Sequence, residues 1–213
     1  MAFGVVCGIL EARGSGKGQV LDVAMVDGSA ILMTMMWGLK QIGFWNEELG
    51  VNVLDTGAPF YDTYETADGK FVALGSLEPQ FYAELVQRLG LADDGLPAQM
   101  DRTGWDMLRE RFTKVFKSKT RDEWDDILRG SDACYAPVLT MSEAADDEHI
   151  KARQTIIERD GVQQPAPAPR FSRTEAEVQR SAPWPGQHTD EALRDWGLAD
   201  SDVAKLREAG AIA

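Results

Sequence analysis

The segment YDTYETADGKFVALGS, residues 61–76, restricts the possible folds of this chain more than any other. Two runs rich in aromatic and β-branched residues flank Asp68–Gly69, a dipeptide typical of tight hairpin turns. The pattern predicts two strands, Tyr61–Thr66 and Phe71–Gly75, paired antiparallel. We therefore expect a fold that contains both sheet and helix, with this hairpin at its centre.

The residues after the hairpin predict an abrupt change from strand to helix. Gln80–Leu89 places Phe81, Leu85 and Leu89 on one face, as in an amphipathic helix. Pro79 suits the first helical position, because its fixed φ fits and its missing N–H needs no partner there. Glu78 is then at or beside the N-cap, where Ser, Thr, Asp or Asn is favoured. A carboxylate there gains only about 0.3–1 kcal/mol from the helix dipole. The position of Glu78 between strand and helix, taken alone, therefore favours a structural role.

Composition and charge exclude several classes of protein. The 213 residues are 44% hydrophobic and 27% charged, which is typical of a globular chain rather than a disordered one. A net charge of −13 argues against a nucleic-acid partner, which would need clustered lysine and arginine. No apolar run approaches the ~20 residues needed to span a bilayer, so we expect no membrane partner.

The few cysteines and histidines form no recognisable metal or thiol motif. Cys7 and Cys134 are the only cysteines, and they fit neither a CxxC motif nor metal-ligand spacing. Such usage suits a reducing compartment, and without a targeting signal the expected location is the cytoplasm. His149 and His188 each lie in a polar, acidic stretch, which does not favour either as a catalytic group.

Outside the hairpin, sequence patterns predict mostly helices. Helices are predicted over 1–12, 27–45, 103–116, 120–128 and 143–152, strands over 19–25 and 133–139, an extended segment over 163–171, and two short helices in the tail, the first capped by Thr189. The helix over 27–45 is rich in methionine. Flexible thioethers suit a surface that accepts apolar groups of varied shape, although a methionine stripe more often forms simple core.

Several segments taken together resemble a known family. They are GKGQVLDVAMVDG, NVLDTGAPFYDTYETADGKFVALGSLEPQFY, SDACYAPVLT and PAPRFSRT. These segments are similar to the family III CoA-transferase fold and, within it, to the α-methylacyl-CoA racemases. The resemblance implies an α/β fold and runs over nearly the whole chain. Family III transferases typically carry a glycine-rich GGGG-type loop, and its absence here favours a racemase over a transferase.

The resemblance assigns a chemical role to Glu78. In the racemases the glutamate of the matching EPQF motif pairs with a catalytic histidine in the acid–base machinery. The implied reaction is epimerisation of a 2-methylacyl-CoA thioester through removal and return of the α-proton. The resemblance also implies an apolar wall for the acyl chain, for which the expected residues are Met25, Leu54, Tyr61 and Leu77. No cofactor or metal is expected, because CoA is part of the substrate.

The resemblance also implies that catalytic groups are missing from this chain. In the family the catalytic histidine and aspartate precede the segment that matches residue 1 onward, so we expect a C-terminal portion that does not turn over alone. The expected division is a remnant of the large domain over 1–45, a small α/β domain over 46–185, and helices over 186–213 that return to the large domain. Family members form interlocked dimers, which implies a homodimer for the full-length protein. Two alternatives stay open: a family III CoA-transferase, and a non-catalytic remnant that acts as a partner subunit.

Overall fold

The computed structural model describes residues 1–212, and these fall into two compact units, residues 1–138 and residues from 139 onward. The first unit contains α1 (Ala2–Ser15), α2 (Met25–Leu32), α3 (Thr34–Gln41), β1 (Thr63–Glu65), β2 (Phe71–Leu74), α4 (Pro79–Arg88), a 3-10 turn (Arg102–Gly104), α5 (Trp105–Phe116), α6 (Arg121–Leu128) and β3 (Tyr135–Val138). The second contains α7 (Met141–Asp146), α8 (Glu148–Ala152), β4 (Ile156–Arg159), β5 (Val162–Pro165), α9 (Thr189–Asp195) and α10 (Asp200–Glu208). None of the helices described over residues 1–212 is long and apolar enough to cross a membrane.

The predicted hairpin is confirmed and forms two strands of a three-stranded sheet. β1 and β2 pair antiparallel with Tyr64 opposite Val72, and β3 adds antiparallel to the other edge of β2. Gly69 turns the chain at φ 74°, a left-handed conformation that suits glycine because it has no Cβ. The local turn signal therefore fixes the register of β1 and β2.

Helices α4, α5 and α6 and the sheet share an aromatic core. Tyr64 from β1 stacks on Phe116 at 5.2 Å between ring centroids, and Phe116 meets Trp124 of α6 edge to face at 5.1 Å. Phe60, just before the hairpin, packs edge to face on Trp105 at 5.9 Å. Burying such side chains supplies most of the driving force for folding. The mixed helix and sheet confirm the predicted α/β class.

Two helix starts match the sequence prediction closely. Pro79 is the first residue of α4, with Glu78 at the N-cap in an extended conformation. Thr120 caps α6 and forms the reciprocal capping box with Glu123.

The predicted strand over residues 19–25 is wrong. Residues 17–24 belong to no helix or strand, and α2 already begins at Met25. A strand is stable only when a neighbouring strand satisfies its backbone, and residues 1–212 offer none to this segment. The helix predicted over 27–45 is also interrupted, because the chain turns at Met33 between α2 and α3.

The second unit contains a hairpin that the sequence did not predict. β4 and β5 pair antiparallel from Ile156 opposite Pro165 to Arg159 opposite Val162, whereas only an extended segment was predicted over 163–171. The single predicted helix over 143–152 is broken by Asp147, whose side chain caps α8. The tail helices are present, but His188 occupies the N-cap of α9 and Thr189 is its first residue.

Large apolar side chains in residues 1–45 are widely exposed. Phe3 is 84% exposed, Leu32 85% and Met25 90%. Monomeric proteins rarely leave apolar surface on this scale uncovered. The predicted domain limits near residues 45 and 185 stay predictions.

Candidate functional site

The chain just before Glu78 is fixed by hydrogen bonds to two separate segments. The Gly75 N–H donates to the Cys134 carbonyl at 2.9 Å, and the Ser76 N–H donates to the Phe60 carbonyl at 3.0 Å. The fully buried Ser76 hydroxyl donates to the Ala133 carbonyl at 2.6 Å. This corner between β2 and α4 is therefore a rigid platform.

The Glu78 side chain projects from this platform into solvent. Its backbone is extended, with φ −74° and ψ 141°, and its carboxylate makes no hydrogen bond to the N-terminal amides of α4. Its carbonyl accepts from Phe81 at 3.1 Å and from Tyr82 at 3.0 Å, which joins the backbone of Glu78 to the helix. Within residues 1–212 no cation pairs with the carboxylate. The side chain is thus available to a substrate, as a purely capping carboxylate would not be.

Cys134 lies close enough to Glu78 for their charges to interact, although the two are distant in sequence. Partial loss of solvent around the Cys134 thiol raises its pKa, and the negative charges of Glu78 and Asp132 raise that pKa further. The residue adopts φ 48°, and its side chain is exposed. A negative charge raises the pKa of a nearby thiol because it disfavours the thiolate. Cys134 can therefore report on the charge of Glu78.

We expect Glu78→Gln to make Cys134 more reactive toward a maleimide at neutral pH. Removing the Glu78 charge lowers the pKa of the thiol, so the thiolate fraction and the alkylation rate rise, by roughly twofold to threefold for an exposed pair. Rates at Cys134 and Cys7 would be followed separately by peptide mass spectrometry. Cys7, in α1, is the internal control, and an equal change at both cysteines would refute the predicted proximity.

An apolar pocket adjoins the corner. It has a volume of about 150 Å³ and is lined by Leu39, Phe44, Trp45, Val53, Leu54 and Leu77. A cavity needs only about 10–15 Å³ of such volume to hold one water molecule, so this pocket has room for a short alkyl group. Leu77 immediately precedes Glu78, so the pocket and the carboxylate share one stretch of backbone. The structure thus brings together two predicted pocket residues, Leu54 and Leu77.

The two other predicted pocket residues lie in different places. Tyr61 packs beside the corner, with Cε2 of its ring 3.7 Å from the point where a Cβ on Gly75 would lie. Met25, the first residue of α2, is 90% exposed and is not among the residues that line this pocket. The roles of Glu78, Met25, Leu54, Tyr61 and Leu77 in substrate binding and catalysis stay predictions.

Sequence reasoning missed the polar residues that shape the loop beside the pocket. Asn52 is 1% exposed, and its amide donates to the Asp55 carboxylate at 2.7 Å and to the Asn46 carbonyl at 2.9 Å. Burial acts to raise the pKa of Asp55, but hydrogen bonds from Asn52, Gly57 and Gly50 outweigh it and leave the pKa below its usual value. Because Leu54 lies inside this loop, the network holds one wall of the pocket.

Arg109 of α5 ties the same loop to the core. Its guanidinium pairs with Asp62 and donates to the carbonyls of Thr56 at 2.6 Å and Gly57 at 3.0 Å. Gly57 has no room for a side chain, since a Cβ there would lie 2.4 Å from the Asn52 carbonyl oxygen. The sequence showed only turn-forming residues here, and no local pattern indicates these long-range partners.

Both histidines lie in the second unit. The Nδ1 atom of His188 lies 3.2 Å from the Glu191 carboxylate, and the backbone N–H of His149 donates to the capping Asp147 at 2.9 Å. In the part of the chain that the structure describes, residues 1–212, no group of three or more His, Cys, Asp or Glu side chains could hold a metal ion.

Comparisons with known proteins identify the family. The model of "CoA-transferase family III" matches residues 1–189. The chain is 44% identical over 207 residues to "Alpha-methylacyl-CoA racemase" of Mus musculus and 41% identical over 208 residues to that of Homo sapiens, in each case over 96% of this chain and 54% of the relative. It thus spans about half the length of these curated relatives.

A solved structure supports the same fold. The crystal structure of the hypothetical protein Rv3272 from Mycobacterium tuberculosis superposes with a TM-score of 0.67 at 19% identity, over 89% of this chain and 51% of that one. At this identity the likeness concerns the fold alone. With the family model and the two racemases, it leads to one conclusion: the chain belongs to CoA-transferase family III.

Proposed function

We propose that this chain supplies an acid–base carboxylate, Glu78, and part of the acyl pocket to an α-methylacyl-CoA racemase. The observation that carries the proposal is the exposed, unpaired carboxylate of Glu78 directly beside the apolar pocket lined by Leu54 and Leu77. The names of the mouse and human relatives point to the same isomerase class. The substrate would be a 2-methylacyl-CoA thioester.

Racemisation at the α-carbon of a thioester needs two proton-transfer groups. One group removes the α-proton from one face, an enolate-like intermediate forms, and a conjugate acid on the opposite face returns a proton. A hydrogen-bond donor must stabilise the thioester oxygen as negative charge develops on it. We propose that Glu78, paired with the histidine that the family resemblance implies, forms part of one of the two groups. We propose that the other group and most of the CoA site come from sequence that these 213 residues do not contain.

The pocket suits the alkyl part of such a substrate. Its wall is made of aliphatic and aromatic side chains, which favour transfer of a methyl-branched acyl chain out of water. Tyr61 stands on the same corner and would extend this wall toward solvent. Proton transfer needs no redox cofactor and no metal, because CoA itself activates the α-proton as a thioester.

Location and assembly are part of the proposal. The two cysteines are both free, which suits a reducing compartment such as the cytoplasm. The exposed apolar side chains of residues 1–45 suit burial against further protein, and a homodimer of the complete protein would provide that surface. The same surface would serve the alternative in which this chain acts only as a partner subunit.

Exchange of the substrate α-proton in deuterium oxide tests the proposal. We expect the 213-residue chain alone to exchange the α-proton of a 2-methylacyl-CoA no faster than buffer, because most of the CoA site that would hold the α-carbon against Glu78 is proposed to lie outside these residues. Joined to the portion of the mouse relative that lies outside the match, the chain should give exchange that mass spectrometry detects.

Each outcome of the exchange experiment has a definite meaning. Rapid exchange by the 213-residue chain alone would show that the catalytic groups are wrongly assigned. No exchange by the joined protein would contradict the racemase proposal and favour the non-catalytic subunit. Transfer of CoA to a free carboxylic acid, without α-proton exchange, would indicate a family III transferase instead.

A further inference from the structure

We infer that Gln99 is a positioning residue that fixes the backbone beneath Glu78, an inference that rests on the proposed function. The Nε2 group of Gln99 donates to the Ser76 carbonyl at 3.0 Å and to the Leu77 carbonyl at 2.9 Å. These are the two peptide carbonyls that immediately precede Glu78. One side-chain amide thus holds two consecutive peptide units at the corner between β2 and α4.

The two carbonyls depend on Gln99 for a protein donor. Ser76 and Leu77 lie after the last residue of β2 and before the first residue of α4, so neither carbonyl takes part in a strand or helix ladder. Within residues 1–212, no backbone N–H donates to either carbonyl. The Leu77 carbonyl belongs to the planar peptide unit that also contains the Glu78 nitrogen. The same planar unit ends at the Glu78 Cα. A hydrogen bond that holds the Leu77 carbonyl therefore also holds the Cα from which the Glu78 side chain extends.

Gln99 is itself held by the aromatic core. The backbone carbonyl of Gln99 accepts a hydrogen bond from the indole N–H of Trp105 at 2.9 Å, and Trp105 is only 5% exposed. Trp105 packs on Phe60, whose carbonyl accepts the Ser76 N–H at 3.0 Å. These contacts form a ring: Gln99 bonds to Trp105, Trp105 packs on Phe60, Phe60 bonds to Ser76, and Ser76 bonds back to Gln99. The ring links the corner to the core. Support of this kind keeps a functional group within a fraction of an ångström of its working position.

Loss of the Gln99 amide should therefore affect catalysis more than binding. The apolar pocket is lined by other side chains, so acyl binding should change little. Proton transfer is far more sensitive, because a displacement of about 1 Å of a reacting group can cost 10²-fold in rate. In the joined protein we expect Gln99→Met to lower kcat for α-proton exchange roughly 10-fold to 100-fold, with KM within about twofold.

The matched control is Gln87→Met, the same substitution at an exposed position near the end of α4. Its kcat and KM should both stay within about twofold of the unsubstituted protein. A raised KM with unchanged kcat in Gln99→Met would assign Gln99 to binding and overturn the inference. Unchanged kcat and KM would do the same.

A second measurement on the 213-residue chain does not depend on activity. The amide 15N shifts of Leu77 and Glu78 report hydrogen bonding at the carbonyls that precede them, and both should move in Gln99→Met but not in Gln87→Met. If Gln99→Met does not fold, Gln99→Asn provides the test, since its amide is one methylene short of the two carbonyls. Unchanged shifts would overturn the inference. If the joined protein shows no exchange, the proposed function fails, and these shifts alone decide whether Gln99 holds the corner.

Discussion

We expect Glu78→Gln to lower the rate of α-proton exchange in the joined protein by roughly 10²-fold or more, the usual scale for loss of a general acid–base group. The substitution keeps the size of the side chain and removes its ability to accept a proton. The carboxylate forms no capping hydrogen bond and no ion pair among residues 1–212, so the fold loses little. The rate of deuterium incorporation into a 2-methylacyl-CoA measures the effect.

Glu84→Gln is the matched control for this experiment. Glu84 lies in the same helix, α4, and pairs with Arg88 at 2.6 Å on the surface. An exposed ion pair of this kind contributes about 0–1 kcal/mol to stability, so activity should be unchanged. If Glu78→Gln retained full exchange activity, Glu78 would return to the structural role that the helix start alone suggests.

The sequence predicts those parts of the fold that depend on short-range signals. The Asp68–Gly69 turn determines the register of β1 and β2, and Pro79 marks the first residue of α4. Thr120 and Glu123, three residues apart, define the start of α6. Each of these signals acts within a few residues, so no tertiary information is needed to interpret it. The strand predicted over 19–25 is wrong for the complementary reason, because a strand also needs a partner that local sequence does not reveal.

In the candidate site, too, local sequence identifies the residues of a short motif but not their distant partners. Glu78 and Leu77 are found through a motif of adjacent residues, whereas Gln99 contacts the corner from more than twenty positions away. Arg109 reaches the carbonyls of Thr56 and Gly57 across an even longer separation. Neither residue belongs to a pattern, since a glutamine in a loop and an arginine on a helix usually face solvent. Their roles depend on packing that brings distant segments together.

The largest expected effect on stability is at Phe116. We expect Phe116→Ala to lower the free energy of unfolding of the first unit by about 3–5 kcal/mol, the range typical of a buried phenylalanine. Phe116 is 0% exposed and joins the stacked ring of Tyr64 to the edge of Trp124. The substitution removes both ring contacts and leaves a cavity that surrounding side chains can fill only in part.

Native-state hydrogen exchange at the amides of β2 measures this loss for the first unit alone, because the most protected amides of a sheet exchange only when the unit unfolds. Phe3→Ala is the matched control: Phe3 is 84% exposed in α1, and its truncation should change the free energy by no more than about 0.5 kcal/mol. Equal, small effects at both positions would contradict a core centred on Phe116. A large loss at Phe116 alone would locate the centre of the core at Phe116, in the same buried cluster as the Phe60–Trp105 contact that supports the corner.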